Sequence, residues 1–143
     1  MTTTEILEDK LKAFEGLRLK AYTCPGGKLT IGYGHTGKDV REGDRISEYW
    51  ARELLKSDIA EAERQVKKLN VAKTEGQLDA LVSFVFNLGI GRLKASTLLK
   101  VIRQGGSKAQ ITREFKKWVY AAGGKRLKGL ERRREWEARR FFE

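Results

Sequence analysis

A chain of 143 residues is long enough to bury one substantial core, and its 30 Lys plus Arg against 19 Asp plus Glu give a formal net charge of +11. That surplus favours an anionic partner, be it nucleic acid, anionic lipid or an acidic bacterial wall, and does not choose among them. The single cysteine excludes an internal disulfide, and the lack of any Cys and His cluster speaks against a structural zinc site, so neither metal nor cofactor is expected.

The opening stretch, MTTTEILEDKLKAF, holds no apolar run long enough for a signal peptide or a spanning helix, and accumulation in the cytoplasm is expected. Thr2 with Glu5 three residues on has the form of a capping box, and Ile6, Leu7, Leu11 and Phe14 recur at helical spacing, which predicts a first helix over about residues 2–14. Glu15 ends that helix, and Gly16 is suited to close it in the left-handed conformation. From Arg18 the pattern alternates. Leu19, Ala21, Leu29, Ile31 and Tyr33 fall on one face of two strands, with Pro25, Gly26 and Gly27 as the turn between them. The polar stretch HTGKDVREGDRIS then predicts a short third strand near Val40 followed by a loop.

Ser47 caps a long helix running to about Asn70, in which Ala51, Leu54, Leu55, Ile59, Ala62, Val66 and Leu69 keep one stripe over roughly 30 Å. Thr74 with Gln77 reads as a second capping box, opening LDALVSFVFNLG, a helix apolar nearly all round and therefore central, closed by Gly89. Ser96 begins a short helix ending at Gly105. Ser107 with Gln110 begins another that carries Ile111, Phe115, Trp118 and Val119 on one face and stops at Gly123 and Gly124. From about Leu130 to Phe142 basic residues interleave with Trp136, Ala138, Phe141 and Phe142, as in a docking helix with a charged outer face.

A hairpin folded back beside the first helix would bring Glu15, Cys24, Thr30 and His35 round one cleft. Glu15, eight residues, Cys24, five residues and Thr30 form a spaced set inside the flanks EGLRLKAY and TIGYGHTG. With the later blocks SFVFNLGIG (83–91), STLLKVI (96–102) and KGLERRREWE (128–137), this set resembles the phage-type lysozymes, the endolysins of glycoside hydrolase family 24, over nearly the whole chain. The resemblance implies an α+β, mostly helical lysozyme-like fold in a single domain. Its small lobe, over about residues 14–46, carries a β-hairpin or three-stranded antiparallel sheet. A connecting helix over about 47–70 leads to a helical lobe over about 71–143, which includes helix 2–14, and the cleft lies between the lobes. It also implies a monomeric muramidase that cuts the β-1,4 bond from N-acetylmuramic acid to N-acetylglucosamine in bacterial peptidoglycan. A cytoplasmic enzyme of that kind needs a separate membrane-permeabilising partner, such as a holin, for release.

Glycoside hydrolysis calls for an acid to protonate the leaving oxygen and a second group at the oxocarbenium-like centre. Glu15 suits the first task, which requires a pKa above the ordinary value of about 4.3; as a bland surface residue it would pair with Arg18 or another base. Cys24 stands where many relatives carry aspartate, and four roles are open to it: orienting water, becoming a thiolate in basic surroundings, attacking the sugar directly, or filling a strand edge. Thr30 offers a hydroxyl to hold a water on the face opposite Glu15, or is a strand threonine favoured for its shape. His35, the only histidine, reads better as a structural ion pair with Asp58 than as a general base. Tyr33, Asn87 and Arg132 are candidate substrate contacts. For Asn87 the plain alternative is a helix end, and for Arg132, with Arg133 and Arg134, a solvated basic face.

Two other classes compete with this reading. The net charge and the arginine-rich last helix would suit a basic nucleic-acid-binding module, yet nothing in such a module needs EGLRLKAYTCPGGKLTIGYGH, and no nucleic-acid contact is expected. Arginines interleaved with Trp136, Phe141 and Phe142 would suit a membrane-active helix at an anionic interface.

Overall fold

Four of the helices begin where a hydroxyl takes up an orphaned backbone N–H. In the computed structural model, which describes residues 1–143, Ser47 accepts from the Trp50 amide at 3.2 Å ahead of a 21-residue helix, Glu48–Lys68. Ser107 and Gln110 complete a reciprocal capping box. Thr74 accepts from the Gln77 amide, whereas the Gln77 side chain reaches back to the Lys73 amide rather than to that of Thr74. In chain order the elements are α1 (Glu5–Glu15), β1 (Arg18–Thr23), β2 (Leu29–Gly32), β3 (His35–Thr36), α2 (Glu48–Lys68), α3 (Glu75–Leu88), α4 (Ile90–Lys94), α5 (Thr97–Arg103), α6 (Lys108–Lys116) and α7 (Lys128–Phe141). This is the expected α+β composition, a three-stranded antiparallel sheet with seven helices. None of the helices is long and apolar enough to cross a membrane.

The chain divides into two compact units, residues 8–60 and residues 1–7 with 61–143. In the first, the order of the sheet is β1-β2-β3, with Tyr22 opposite Thr30 and Ile31 opposite His35. The third strand is therefore at His35–Thr36 and not near Val40, which is instead a buried loop residue. A bulge between Arg18 and Tyr22 breaks the alternation of β1, so Leu19, expected on the apolar face, is 44% exposed. The bulged segment pairs on its other side with residues 44–46, through Ala21 N–H to Asp44 O and Ile46 N–H to Leu19 O, both 2.9 Å. Gly32, at φ +67°, lets α2 approach: a Cβ there would stand 3.4 Å from the backbone of Ala51.

In the second unit α3 packs chiefly against α7, which also packs against α6. Phe84, Phe115 and Phe141 meet edge to face in its core, and Trp118 joins them at 5.4 Å from the Phe84 ring. Trp118 and Val119 lie beyond the end of α6 at Lys116, and the pair Gly123 and Gly124 sits in the turn bridged by Tyr120 and Arg126 instead of stopping that helix. The expected box of Thr2 and Glu5 is not formed either. Because α1 starts at Glu5, Thr4 is the flanking residue, and its amide and hydroxyl both donate to the buried Asp79, at 2.9 and 2.5 Å. Arg140 donates to the same carboxylate at 3.0 Å.

The last helix is not a solvated basic face throughout. Arg132 is exposed, but Arg133 and Arg134 are buried with Glu137, whose carboxylate accepts from the Ser83 hydroxyl at 2.6 Å and lies 3.3 Å from Arg134 Nη1. Burial pushes the Glu137 carboxyl up, while Arg134 and Arg133 hold it toward the ionised form.

Candidate active site

Five of the predicted site residues and Asp58 fall in the unit of residues 8–60. Glu15 is the last residue of α1, half-buried, and Gly16 follows at φ +71° with its N–H on Lys12 O, so the helix closes in the left-handed form the sequence suggests. The carboxyl group lies directly against Gly34 in the turn between β2 and β3. A Cβ built on Gly34 would stand 2.8 Å from Glu15 Cδ, and Gly34 is at φ +75°, so both the space and the backbone demand glycine. Sequence reasoning missed Gly34; the signal that could have found it is the doubled glycine of TIGYGH.

At the far end of the hairpin Cys24, Pro25, Gly26 and Gly27 form a tight turn. Gly27 N–H donates to Cys24 O at 2.8 Å, Gly27 adopts φ +83°, and Cys24 N–H donates to Lys28 O at 2.9 Å. Cys24 is half-buried. Its thiol is held below the ordinary value by hydrogen bonding with the Lys28 backbone first and with the Thr30 side chain second, against the opposing effect of burial. Thr30 is 3% exposed, in the centre of the sheet opposite Tyr22 and Thr36, and its hydroxyl donates to Lys28 O at 3.1 Å. One side chain from β2 and one from the turn therefore share the Lys28 backbone as a common anchor.

Next along the sheet, His35 Nδ1 lies 2.8 Å from Asp58 Oδ2, and its Nε2 lies 3.0 Å from Asp39 Oδ2. Asp39 is a partner that sequence reasoning did not supply. Gly37 makes room for it, since a Cβ there would meet Asp39 Oδ1 at 2.5 Å. Burial pulls the imidazole toward neutrality, but the hydrogen bonds and charges of Asp58 and then Asp39 outweigh it and raise the His35 pKa. Stability from this raised value is fully present below the unfolded pKa, near 6.5, and is lost as pH rises through the folded one. Asp58→Asn is therefore expected to melt earlier than the parent near pH 5.5, with the gap narrowing toward pH 8. Identical melting temperatures at the lower pH would remove the pair from the account.

The remaining candidates stand in other surroundings. Tyr33 is 8% exposed, with Lys12 Nζ 5.9 Å from its ring centroid. In the other unit the Asn87 side-chain carbonyl accepts from the buried Arg134 guanidinium, and Arg132 is exposed on α7. No group of three or more His, Cys, Asp or Glu side chains is arranged to hold a metal ion.

A carboxylate closing a helix against a glycine turn is thus followed by a hairpin bearing a thiol and a buried hydroxyl. Residues 12–137 match the family model described as phage lysozyme, and the chain belongs to that family. The endolysin of Bacillus phage B103 is 48% identical over 135 residues, which cover 92% of this chain and 51% of the relative. The endolysin of Acyrthosiphon pisum secondary endosymbiont phage 1 is 42% identical over 92% of this chain and 91% of its own length. This chain thus spans about half the length of the Bacillus phage relative and most of the other. Among solved structures, the muramidase domain of SpmX from Asticaccaulis excentricus superposes with a TM-score of 0.89 at 34% identity, covering 99% of this chain and 98% of that one.

Proposed function

We propose that this protein is a peptidoglycan hydrolase that cleaves the β-1,4 bond between N-acetylmuramic acid and N-acetylglucosamine, with Glu15 as the general acid. The observation that carries this reading is the seating of the Glu15 carboxyl on Gly34, where no side chain but glycine's leaves it room. A proton donor must be held in one position relative to the leaving oxygen, and close packing of the carboxyl against a turn does that. Cys24 and Thr30 then orient the attacking water. A thiol that ionises more readily than usual is more often the thiolate, the form that can accept a hydrogen bond from the attacking water, and the Lys28 backbone and Thr30 side chain favour that form. Tyr33, Asn87 and Arg132 contact the substrate in this reading, and His35 with Asp58 and Asp39 fixes the sheet instead of taking part in proton transfer.

The endolysin and muramidase names of the relatives support the same substrate. An enzyme accumulating in the cytoplasm as a monomer would reach the wall only once the inner membrane is opened, which makes a holin-type partner part of the proposal. Digestion of purified walls tests the bond assigned. Mass spectrometry of the soluble fragments is expected to show N-acetylmuramic acid at the new reducing ends. Fragments ending in reducing N-acetylglucosamine, or free stem peptides, would overturn the assignment.

A further inference from the structure

The groove between α6 and α7 carries charge that makes no ion pair and that the proposed catalysis does not use. It holds about 340 Å³ and adjoins an open depression of about 800 Å³ on the outer face of α6; Lys108, Thr112 and Lys116, four residues and hence about 6 Å apart along the axis, line both. Arg113 flanks this row, and Arg139 of α7 closes the far wall. No carboxylate lies within 4 Å of Lys108, Arg113, Lys116 or Arg139, whereas Lys117 is taken by Glu114 at 2.7 Å. Holding unpaired cations in a row costs self-repulsion, which an anionic ligand would relieve. Glu135 is the only acid on the lining. Between the cations the walls are formed by Ala109, Ala138 and the Thr112 side chain, and the Phe142 ring sits beside the row, 5.7 Å from Lys108 Nζ.

We propose that this groove binds a flexible chain of phosphodiesters joined by polyols, the chemistry of an anionic cell-wall polymer. The regular step of point charges suits a phosphate in every repeat, and the alkyl and hydroxyl walls suit a polyol spacer. A single-stranded nucleic acid gains its affinity from successive bases stacked on aromatic rings; the lining residues carry no such series, and the neighbouring Phe142 ring is already taken by Lys108 Nζ at 5.7 Å. The groove would hold the enzyme on its insoluble substrate between cuts. That purpose rests on the wall-hydrolase reading, whereas the binding itself does not.

Fluorescently labelled poly(glycerol phosphate), which contains no sugar-to-sugar bond to cleave, tests the groove apart from catalysis. The triple variant Lys108→Gln, Lys116→Gln, Arg139→Gln is expected to bind it at least tenfold more weakly, with the slope of log affinity against log salt reduced by about two. Glu135→Gln is expected to bind more tightly than the parent. A second triple variant, Lys68→Gln, Lys73→Gln, Lys100→Gln, removes the same charge from exposed positions elsewhere in that unit and is expected to stay within threefold of the parent. All of these positions are exposed, and a thermal melt of each variant checks that the fold is kept. Equal weakening in the two triple variants, or no binding by the parent, would overturn the proposal. So would competition by oligothymidylate or phosphatidylglycerol vesicles as effective, phosphate for phosphate, as the polymer itself.

Discussion

Glu15→Gln is expected to fold normally and to clear bacterial walls at least about a hundredfold more slowly than the parent, the lower end of what a general acid contributes. The amide has the shape of the carboxyl group, so the packing on Gly34 is kept and only the transferable proton is lost. Turbidity loss of a wall suspension, read beside a thermal melt of the same sample, separates lost chemistry from lost structure. Clearing at the parental rate would end the assignment of Glu15. The same assay divides the roles of Cys24. If the thiol orients water, Cys24→Asp retains substantial activity and Cys24→Ala is impaired. A glycosyl adduct trapped on Cys24 and seen by mass spectrometry would make it a nucleophile instead.

Arg134→Met should cost about 3–5 kcal/mol of stability, the usual consequence of leaving one member of a buried ion pair without its partner. Both Arg134 and Glu137 are fully buried, and Arg134 also donates to Asn87 and stands over the Phe84 ring, 5.2 Å from its centroid. Methionine fills much of the volume but leaves the Glu137 carboxylate with less compensation for its burial. The midpoint of a urea titration measures the loss. Arg134→Met combined with Glu137→Leu is expected to recover only part of it, because an apolar pair removes the desolvation cost along with the attraction while the buried Arg133, 3.8 Å from Glu137, loses one of its partners. A single variant within 1 kcal/mol of the parent would mean that the pair is stabilised from elsewhere.

Much of the helical framework was legible because caps are local. Ser47, Thr74, Ser96 and Ser107 each accept from a backbone N–H three residues on, and Gly16 and Gly89 close α1 and α3. What the sequence hid depends on distant neighbours. The short α4 opens at Gly89 with no polar side chain to announce it. Arg133 and Arg134 read as a solvated run, since charge in a sequence gives no sign of the buried carboxylate and phenyl ring that receive it. The bulge that turns Leu19 outward is a property of strand pairing and left the alternation of β1 misleading. At the site, the spacing of Glu15, Cys24 and Thr30 marked three candidate side chains and the doubled glycine of TIGYGH hints at Gly34, whereas Asp39 emerges only once the chain after β3 folds back on His35.

The grip of Asp79 on both Thr4 and Arg140 sets an order of assembly during synthesis. The β1–β2 and β2–β3 pairings are short-range and available once those residues have left the ribosome. Asp79 is different. Its carboxylate is fully buried, and the cation that compensates it lies 61 residues further on, in the last turn of α7. Until that turn emerges, burial of α3 against its neighbours would strand an unpaired charge, so the packed form of residues 61–143 is withheld from the nascent chain. A ribosome-tethered fragment ending before Arg140 would then offer proteases an open α3.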